Sequence, residues 1–137
     1  MKVEEIMTPK VEFVSPTTTL RGVAREMRDK GVGALPVVED GKLIGIITDR
    51  DVSVYAIAMG HDPQSTEVRK VMTSEVYTCG ADQDISEAAK IMEQHKIRRL
   101  TVMGSDEALA GFLSVDDIAL VSGELAGAVL EAATPIH

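Results

Sequence analysis

The stretch Gly45–Asp51, "GIITDRD", leads from a run of apolar, strand-favouring residues into a hydroxyl and an acid three residues apart. A second stretch, Gly111–Asp117, "GFLSVDD", has a hydroxyl and an acid at the same places. In both stretches the apolar run predicts a strand, and the polar residues after it predict the start of a helix. Because Ser or Thr followed three residues later by an acid is a common capping pattern, one copy alone would indicate only a helix cap.

The two stretches belong to an internal repeat that covers almost the whole chain. Residues 3–11, "VEEIMTPKV", align with residues 68–76, "VRKVMTSEV", at an offset of 65. One additional residue in the loop "GSDEA" raises the offset to 66 for the rest of the repeat, including the two opening stretches. We therefore predict a first repeat at residues 1–62 and a second at residues 63–137, the latter with a C-terminal helix.

Each repeat is predicted to have the order strand, helix, strand, strand, helix. In the first repeat "VEFV", residues 11–14, is a predicted strand, and a helix capped within "SPTTTL" is predicted to end at Gly31. The turn signal Asp40-Gly41 predicts a hairpin, and a single long helix is predicted over residues 115–133 of the second repeat. A unit of this size is too small to bury both faces of its sheet, so two copies are expected to share a core about a pseudo-twofold axis.

Composition excludes several classes of protein. The single cysteine, Cys79, excludes an intramolecular disulfide, and the scattered His61, His95 and His137 offer no metal-ligand spacing. A net charge of −8 argues against nonspecific nucleic-acid binding. The N-terminus lacks the apolar core of a signal peptide, and no apolar run approaches the ~20 residues that span a bilayer. We therefore expect a cytoplasmic protein without a metal site and without a nucleic-acid or membrane partner.

A series of segments is present twice in the chain, with substitutions: "IMT", a Thr and a Leu, a helical Ala and Met, "LPVV" and "LIGIITDRD". In this series the chain resembles a tandem pair of cystathionine-β-synthase (CBS) domains. The similarity covers about residues 1–121 and is greater to the stand-alone bacterial proteins that consist of one such pair. The resemblance implies an α/β module of two β-α-β-β-α repeats. It also implies a central cleft with two sites for adenosine-containing ligands such as AMP, ADP, ATP, S-adenosylmethionine or NAD, and frequent dimerisation as flat discs.

In that family each cleft site combines the acid of one repeat with residues at the start of a strand in the other. Site A would thus comprise Thr48, Arg50, Asp51, Thr78, Ile97, Arg98, Arg99, Leu100 and Thr101. Site B would comprise Ser15, Val32, Gly33, Ala34, Leu35, Pro36, Ser114 and Asp117. By the same resemblance, backbone groups would bind the adenine edge while Leu35 and Leu100 cover its faces. Thr101 departs from the usual proline, which is present as Pro36.

The chemistry of these residues fits a nucleotide. A carboxylate at a helix start can accept hydrogen bonds from both ribose hydroxyls, and helix N-terminal amides favour a nearby phosphate. Arg50, Arg98 and Arg99 can contact a phosphate in site A, or can form ion pairs on a solvated surface. Because site B has Asp116, Gly33 and Ala34 at the matching positions, we predict that site A binds the phosphate.

We predict a non-catalytic module that binds an adenine nucleotide, requires no cofactor and regulates an unidentified protein partner. The alternative is a ligand-independent dimerisation module with vestigial sites. An enzyme is disfavoured because the chain lacks a plausible Ser/His or Cys/His pair and a Walker-type glycine loop. A homodimer is predicted from surplus apolar residues on two helices. These residues are Val52, Tyr55, Ala56 and Met59 on one helix, and Ile118, Val121, Leu125 and Val129 on the other.

Overall fold

Residues 1–133, which the computed structural model describes, divide into two units that do not coincide with the two sequence repeats. The continuous unit comprises Glu12–Val76, and the split unit comprises Met1–Val11 together with the residues from Tyr77 onward. The strands are β1 (Thr8–Pro9), β2 (Ala34–Glu39), β3 (Lys42–Thr48), β4 (Thr78–Gly80), β5 (Arg99–Met103) and β6 (Leu109–Ser114). The α-helices are α1 (Leu20–Lys30), α2 (Ile85–His95), α3 (Val115–Ala119) and α4 (Gly123–Ala133).

The continuous unit is a hairpin of β2 and β3 packed against α1. The predicted turn at Asp40-Gly41 is confirmed, with both residues in the left-handed region at φ 51° and 77°. The predicted helix cap is also confirmed, because the Gly22 amide donates to Thr19 Oγ1 at 3.2 Å. The predicted strand at residues 11–14 is reduced to a single parallel bridge between Val14 and Val37. The core residues are Val14, Val23, Met27, Leu35, Val37, Ile47 and Val68.

The split unit has a four-stranded sheet in the order β1-β6-β5-β4, in which β4 and β5 are parallel. Its helix α2 begins after Asp84, whose carboxylate accepts hydrogen bonds from the amide and hydroxyl of Ser86 at 2.9 and 2.8 Å. These hydrogen bonds lower the pKa of Asp84 to about 2. Cys79 lies buried in β4, where desolvation raises the pKa of its thiol to about 11, so the thiol stays protonated and unreactive near neutral pH.

Each unit is completed by a Met-Thr segment from the start of the other repeat. In the continuous unit Thr73 and Ile46 exchange two backbone hydrogen bonds of 2.9 Å. In the split unit β1 pairs antiparallel with β6. The predicted boundary between residues 62 and 63 therefore does not separate the compact units, because Thr73 of the second repeat pairs with Ile46 in the hairpin of the first.

The helices that follow the two hairpins differ from one another. In the continuous unit the helix starts at Asp49 and is π-helical over Asp51–Ala56. In the split unit the helix predicted over residues 115–133 is interrupted between α3 and α4, because Ser122 caps a new helix by accepting from the Leu125 amide at 3.3 Å. Within residues 1–133 no helix combines the length and apolar character that crossing a bilayer requires.

Candidate functional site

Asp51 forms a reciprocal cap with Thr48 at the start of the helix that follows β3. The Thr48 amide donates to Asp51 Oδ2 at 3.0 Å, and the Asp51 amide donates to Thr48 Oγ1 at 3.1 Å. The side chain is unusually enclosed for an acid, since Asp51 is only 7% exposed. Its second oxygen, Oδ1, has no hydrogen-bond partner in the described part of the chain, so one acceptor remains available to a ligand.

The split unit repeats this arrangement at the start of α3. The Ser114 amide donates to Asp117 Oδ2 at 2.9 Å, and the Asp117 amide donates to Ser114 Oγ at 3.2 Å. Both Ser/Thr-x-x-Asp stretches are therefore helix caps, as one of the two sequence interpretations states. The cap uses only one carboxylate oxygen in each case, so the ribose role of Asp51 and Asp117 stays a prediction.

A cavity of about 310 Å³ lies beside Asp51 within the continuous unit. Its lining residues are Asp51, Tyr55, Met59, His61, Lys70, Val71 and Thr73. The first three are spaced four apart and so lie along one side of the helix that begins at Asp49. Lys70, Val71 and Thr73 come from the segment that begins the second repeat. The cavity thus offers an acid, a lysine ammonium, an imidazole and an aromatic ring.

A second cavity, of about 170 Å³, lies within the split unit beside the other cap. Its lining residues are Arg98, Arg99, Ser114, Val115, Asp116 and Leu130. The antiparallel pairing of β5 and β6 places Arg99 opposite Ser114, and the Val115 amide donates to the Arg98 carbonyl at 2.9 Å. Two arginines therefore lie beside the start of α3. The expectation that site A binds the phosphate stays a prediction.

Within each unit the hairpin brings together residues that the sequence assigned to different sites. Ala34 of site B lies opposite Thr48 of site A, and the Asp49 amide donates to the Gly33 carbonyl at 2.9 Å. These residues are neighbours because the two strands of the hairpin are antiparallel, so that the end of the second strand lies beside the start of the first. The grouping of residues from both repeats in sites A and B stays a prediction.

Several predicted contact residues are buried, and two of them pack into the cores. Leu35 and Leu100 are each 1% exposed and belong to the two cores, so neither is available to cover a base. Pro36 is buried as well. Thr101 is 1% exposed, and its Oγ1 has no hydrogen-bond partner in residues 1–133.

The remaining predicted site residues are more accessible. Ile97 is half-buried against the core of the split unit, whereas Val32 is 40% exposed. Thr78 is exposed and pairs with Thr101 across the parallel strands β4 and β5. The exposed Ser15 hydroxyl lies 3.1 Å from the hydroxyls of both Thr17 and Thr18. Arg50 is exposed beside Asp51.

The predicted dimer surfaces are also revised. On the first helix Ala56 is buried while Tyr55 and Met59 line the cavity, and the other exposed apolar residues are Val54 and Ile57, at 41% and 70%. In the split unit Ile118 and Val129 are fully buried, as the core of the sheet requires. The large exposed apolar residues of α3, α4 and the turn between them are Leu120, Val121 and Leu130, at 85%, 45% and 42%. Val52 and Leu125 are partly buried against the cores.

Most residues of the cavity beside Asp51 were not predicted from the sequence. Lys70, Val71 and Thr73 were overlooked because the start of the second repeat has no sequence feature that places it beside Asp51. A signal was present in the matched glycines, Gly45 and Gly111, since a glycine inside a strand often marks the close approach of another backbone. No group of three or more His, Cys, Asp or Glu side chains suited to a metal ion lies together within residues 1–133.

Comparison with known proteins is consistent with this fold. The family model described as "CBS domain" matches residues 3–57 and 68–124. The CBS domain-containing protein YhcV of Bacillus subtilis is 38% identical over 130 residues, which cover 93% of this chain and 91% of that protein.

Two solved structures are also similar. Hypoxic Response Protein I, solved with two coordinated zinc ions, has a TM-score of 0.79 at 32% identity, over 89% of this chain and 99% of that one. CBSX2, solved in complex with AMP, has a TM-score of 0.73 at 25% identity, over 87% of this chain and 93% of that one.

The repeated hairpin, the reciprocal caps and the exchanged segments define a mixed α/β protein built from a tandem repeat. The chain belongs to the CBS-domain family, with two CBS domains in tandem.

Proposed function

We propose that this protein is a non-catalytic regulatory module that binds AMP, ADP, ATP or another adenosyl compound. The observation that carries the proposal is the enclosed carboxylate of Asp51, which has a free oxygen and lines a cavity of about 310 Å³ together with Lys70. The complex of the related CBSX2 with AMP supports this class of ligand.

The lining residues of the Asp51 cavity suit the parts of a nucleotide. A carboxylate oxygen that is free of protein contacts can accept hydrogen bonds from the ribose hydroxyls. The ammonium group of Lys70 supplies a positive charge for a phosphate, and the imidazole of His61 adds a hydrogen-bonding group. In this arrangement the phosphate contact at Asp51 comes from Lys70, a residue that the sequence analysis did not assign to any site.

The arginine cavity lies beside Ser114 of the second cap in the split unit. Arg98 and Arg99 carry planar guanidinium groups that can bind a phosphate through paired hydrogen bonds. Their neighbour Asp116 is an exposed acid on α3. We assign the arginines to the nucleotide that Asp117 binds, which reverses the sequence-based expectation that they serve the site of Asp51.

Replacement of the two acids by asparagine tests the proposal. Asp51→Asn keeps a side-chain oxygen for the Thr48 amide but removes the charge, so we expect AMP and adenosine to bind that site about 10- to 100-fold more weakly. Asp117→Asn is the matched variant for the second site. Calorimetric titration of both variants with AMP and adenosine measures the effect. The proposal is wrong if the wild-type protein binds neither ligand, or if neither variant alters binding.

The regulated partner is part of the same proposal. Ligand binding shifts the equilibrium between two conformations of the protein only to the extent that the ligand binds one of them more tightly. The partner then binds the surface that differs between the two conformations. The enzyme alternative has a direct check, because nucleotide turnover above a protein-free blank would contradict a purely regulatory role.

We expect the protein to form a homodimer through exposed apolar helix residues. Leu120, at 85% exposed, and Val121 lie at the end of α3, and an apolar surface of this kind is usually covered by a partner. Light scattering should give twice the mass of one 14.7 kDa chain. Leu120→Ser combined with Val121→Ser should shift the equilibrium toward the monomer, whereas Lys42→Ser on the hairpin should not. A wild-type monomer at tens of micromolar would contradict the expectation.

A further inference from the structure

Tyr55 lines the Asp51 cavity but does not contribute to the hydrophobic core of the continuous unit. It lies one helical turn after Asp51, is 50% exposed, and lines the cavity together with Met59 and Val71. It does not belong to the core of the continuous unit. The aligned residue of the second repeat is the aliphatic Val121.

The geometry points to Tyr55 as the residue that stacks on the base of the bound ligand, and we propose this role for it. The inference rests on the proposed function, because it takes Asp51 as the ribose acceptor. A base is attached directly to the ribose, so a base on a ribose held at Asp51 lies within the reach of a side chain one helical turn away. The neighbouring Met59 and Val71 add the apolar surface that the second face of a base requires.

The local backbone supports a role in binding rather than in folding. The helix is π-helical over Asp51–Ala56, and π-turns are frequent at functional sites. The matched helix α3 is α-helical and carries no aromatic residue. Stacking on an aromatic ring tolerates different bases, since every base presents a π-face. Tyr55 therefore favours nucleosides over sugar phosphates, and it does not by itself select adenine from other bases.

The tyrosine content of the chain allows a direct spectroscopic test. The sequence has two tyrosines and no tryptophan. The second tyrosine, Tyr77, is stacked on His95 with ring centroids 3.7 Å apart. In Tyr77→Phe only Tyr55 emits, so we expect AMP to quench the emission, because a stacked base shortens the excited state. In Tyr55→Phe only Tyr77 emits, and we expect AMP to bind with nearly wild-type affinity while the emission stays constant.

Affinity measurements separate stacking from a structural role. Tyr55→Val, which installs the residue of the second repeat, should weaken AMP and adenosine binding about 5- to 150-fold at the Asp51 site. Ribose 5-phosphate, which has no base, should bind wild type and Tyr55→Val equally. The reciprocal Val121→Tyr should leave the Asp51 site unchanged. The molar mass of Tyr55→Val should equal that of the wild type, since the proposed role lies in the cavity and not in the dimer contact.

Three outcomes would overturn the inference. The first is unchanged AMP affinity in Tyr55→Val, with Asp51→Asn still impaired, in which case the proposed function stands and the stacking role fails. The second is an equal loss of ribose 5-phosphate and AMP binding in Tyr55→Val, which indicates a structural role. The third is a wild-type protein that binds no nucleotide, which defeats the proposed function together with the inference.

Discussion

Gly111→Ala is expected to lower the free energy of unfolding by about 1–3 kcal/mol, because it forces a methyl group into a closed contact between two strands. A Cβ at this position would lie 2.7 Å from the carbonyl oxygen of Thr8 and 2.5 Å from the sulfur of Met7. The methionine can move, but the carbonyl belongs to β1, which pairs with β6 at this point. Relief of the clash therefore requires a backbone shift that weakens the pairing.

Two further glycines provide controls for this prediction. Gly45→Ala should cost less than Gly111→Ala, because its nearest backbone atom, the Thr73 carbonyl oxygen, would be 3.0 Å away. Gly127→Ala in α4 should instead stabilise by about 0.5–1 kcal/mol, since no atom of residues 1–133 lies within 4 Å of the added methyl group and alanine favours the helix. Chemical denaturation of the three variants gives the order of their free energies of unfolding. Equal destabilisation by Gly111→Ala and Gly127→Ala would show that the close strand contact does not exist in solution.

The combined change Arg98→Ala and Arg99→Ala is expected to abolish the preference of the second site for AMP over adenosine. Each charge-assisted contact with a phosphate contributes about 1.5–3 kcal/mol, so loss of even one contact should weaken AMP binding by about 10- to 150-fold. Adenosine lacks the phosphate and should bind the variant and its parent equally. Asp51→Asn provides the background in which the second site can be titrated with little signal from the first.

Lys90→Ala is the matched control, because Lys90 is an exposed base on α2 that does not line the arginine cavity. We expect it to leave AMP binding nearly unchanged at moderate salt, where charges beyond about 10 Å are largely screened. Calorimetric titrations with AMP and adenosine compare the affinities of the Asp51→Asn background, the double arginine variant and the Lys90→Ala variant. If the arginine variant binds AMP as well as Lys90→Ala does, the phosphate role of the arginines is excluded.

The fold was predictable from sequence wherever local chemistry determines the structure. Thr19 caps the start of α1, Gly31 caps its end, and Asp40-Gly41 forms the turn between β2 and β3. These features were predictable because caps and turns depend on a few neighbouring residues. The break after α3 was not predicted, since the apolar spacing runs on through Ser122 and only the local cap of α4 reveals the interruption. The π-helical turn at Asp51 likewise has no sequence signal of its own.

The candidate site was predictable in its acids and caps but not in its surroundings. Asp51 and Asp117 were found because the repeat places the same pattern twice. Leu35 and Leu100 were assigned to a ligand although they pack into the cores, because a pattern of apolar residues does not show which side of a sheet each one faces. Lys70 was missed for a different reason, since its neighbours in space are distant in sequence.

The exchange of segments between the repeats also affects how the chain folds as it leaves the ribosome. The continuous unit is encoded without interruption, so all of its strands are available once Val76 has emerged. The Met1–Val11 part of the split unit is synthesised before the continuous unit, and its strand β1 can pair with β6 only after the continuous unit has been made. We expect the continuous unit to fold during synthesis while the N-terminal segment remains unpaired, as domains generally fold in the order in which they emerge.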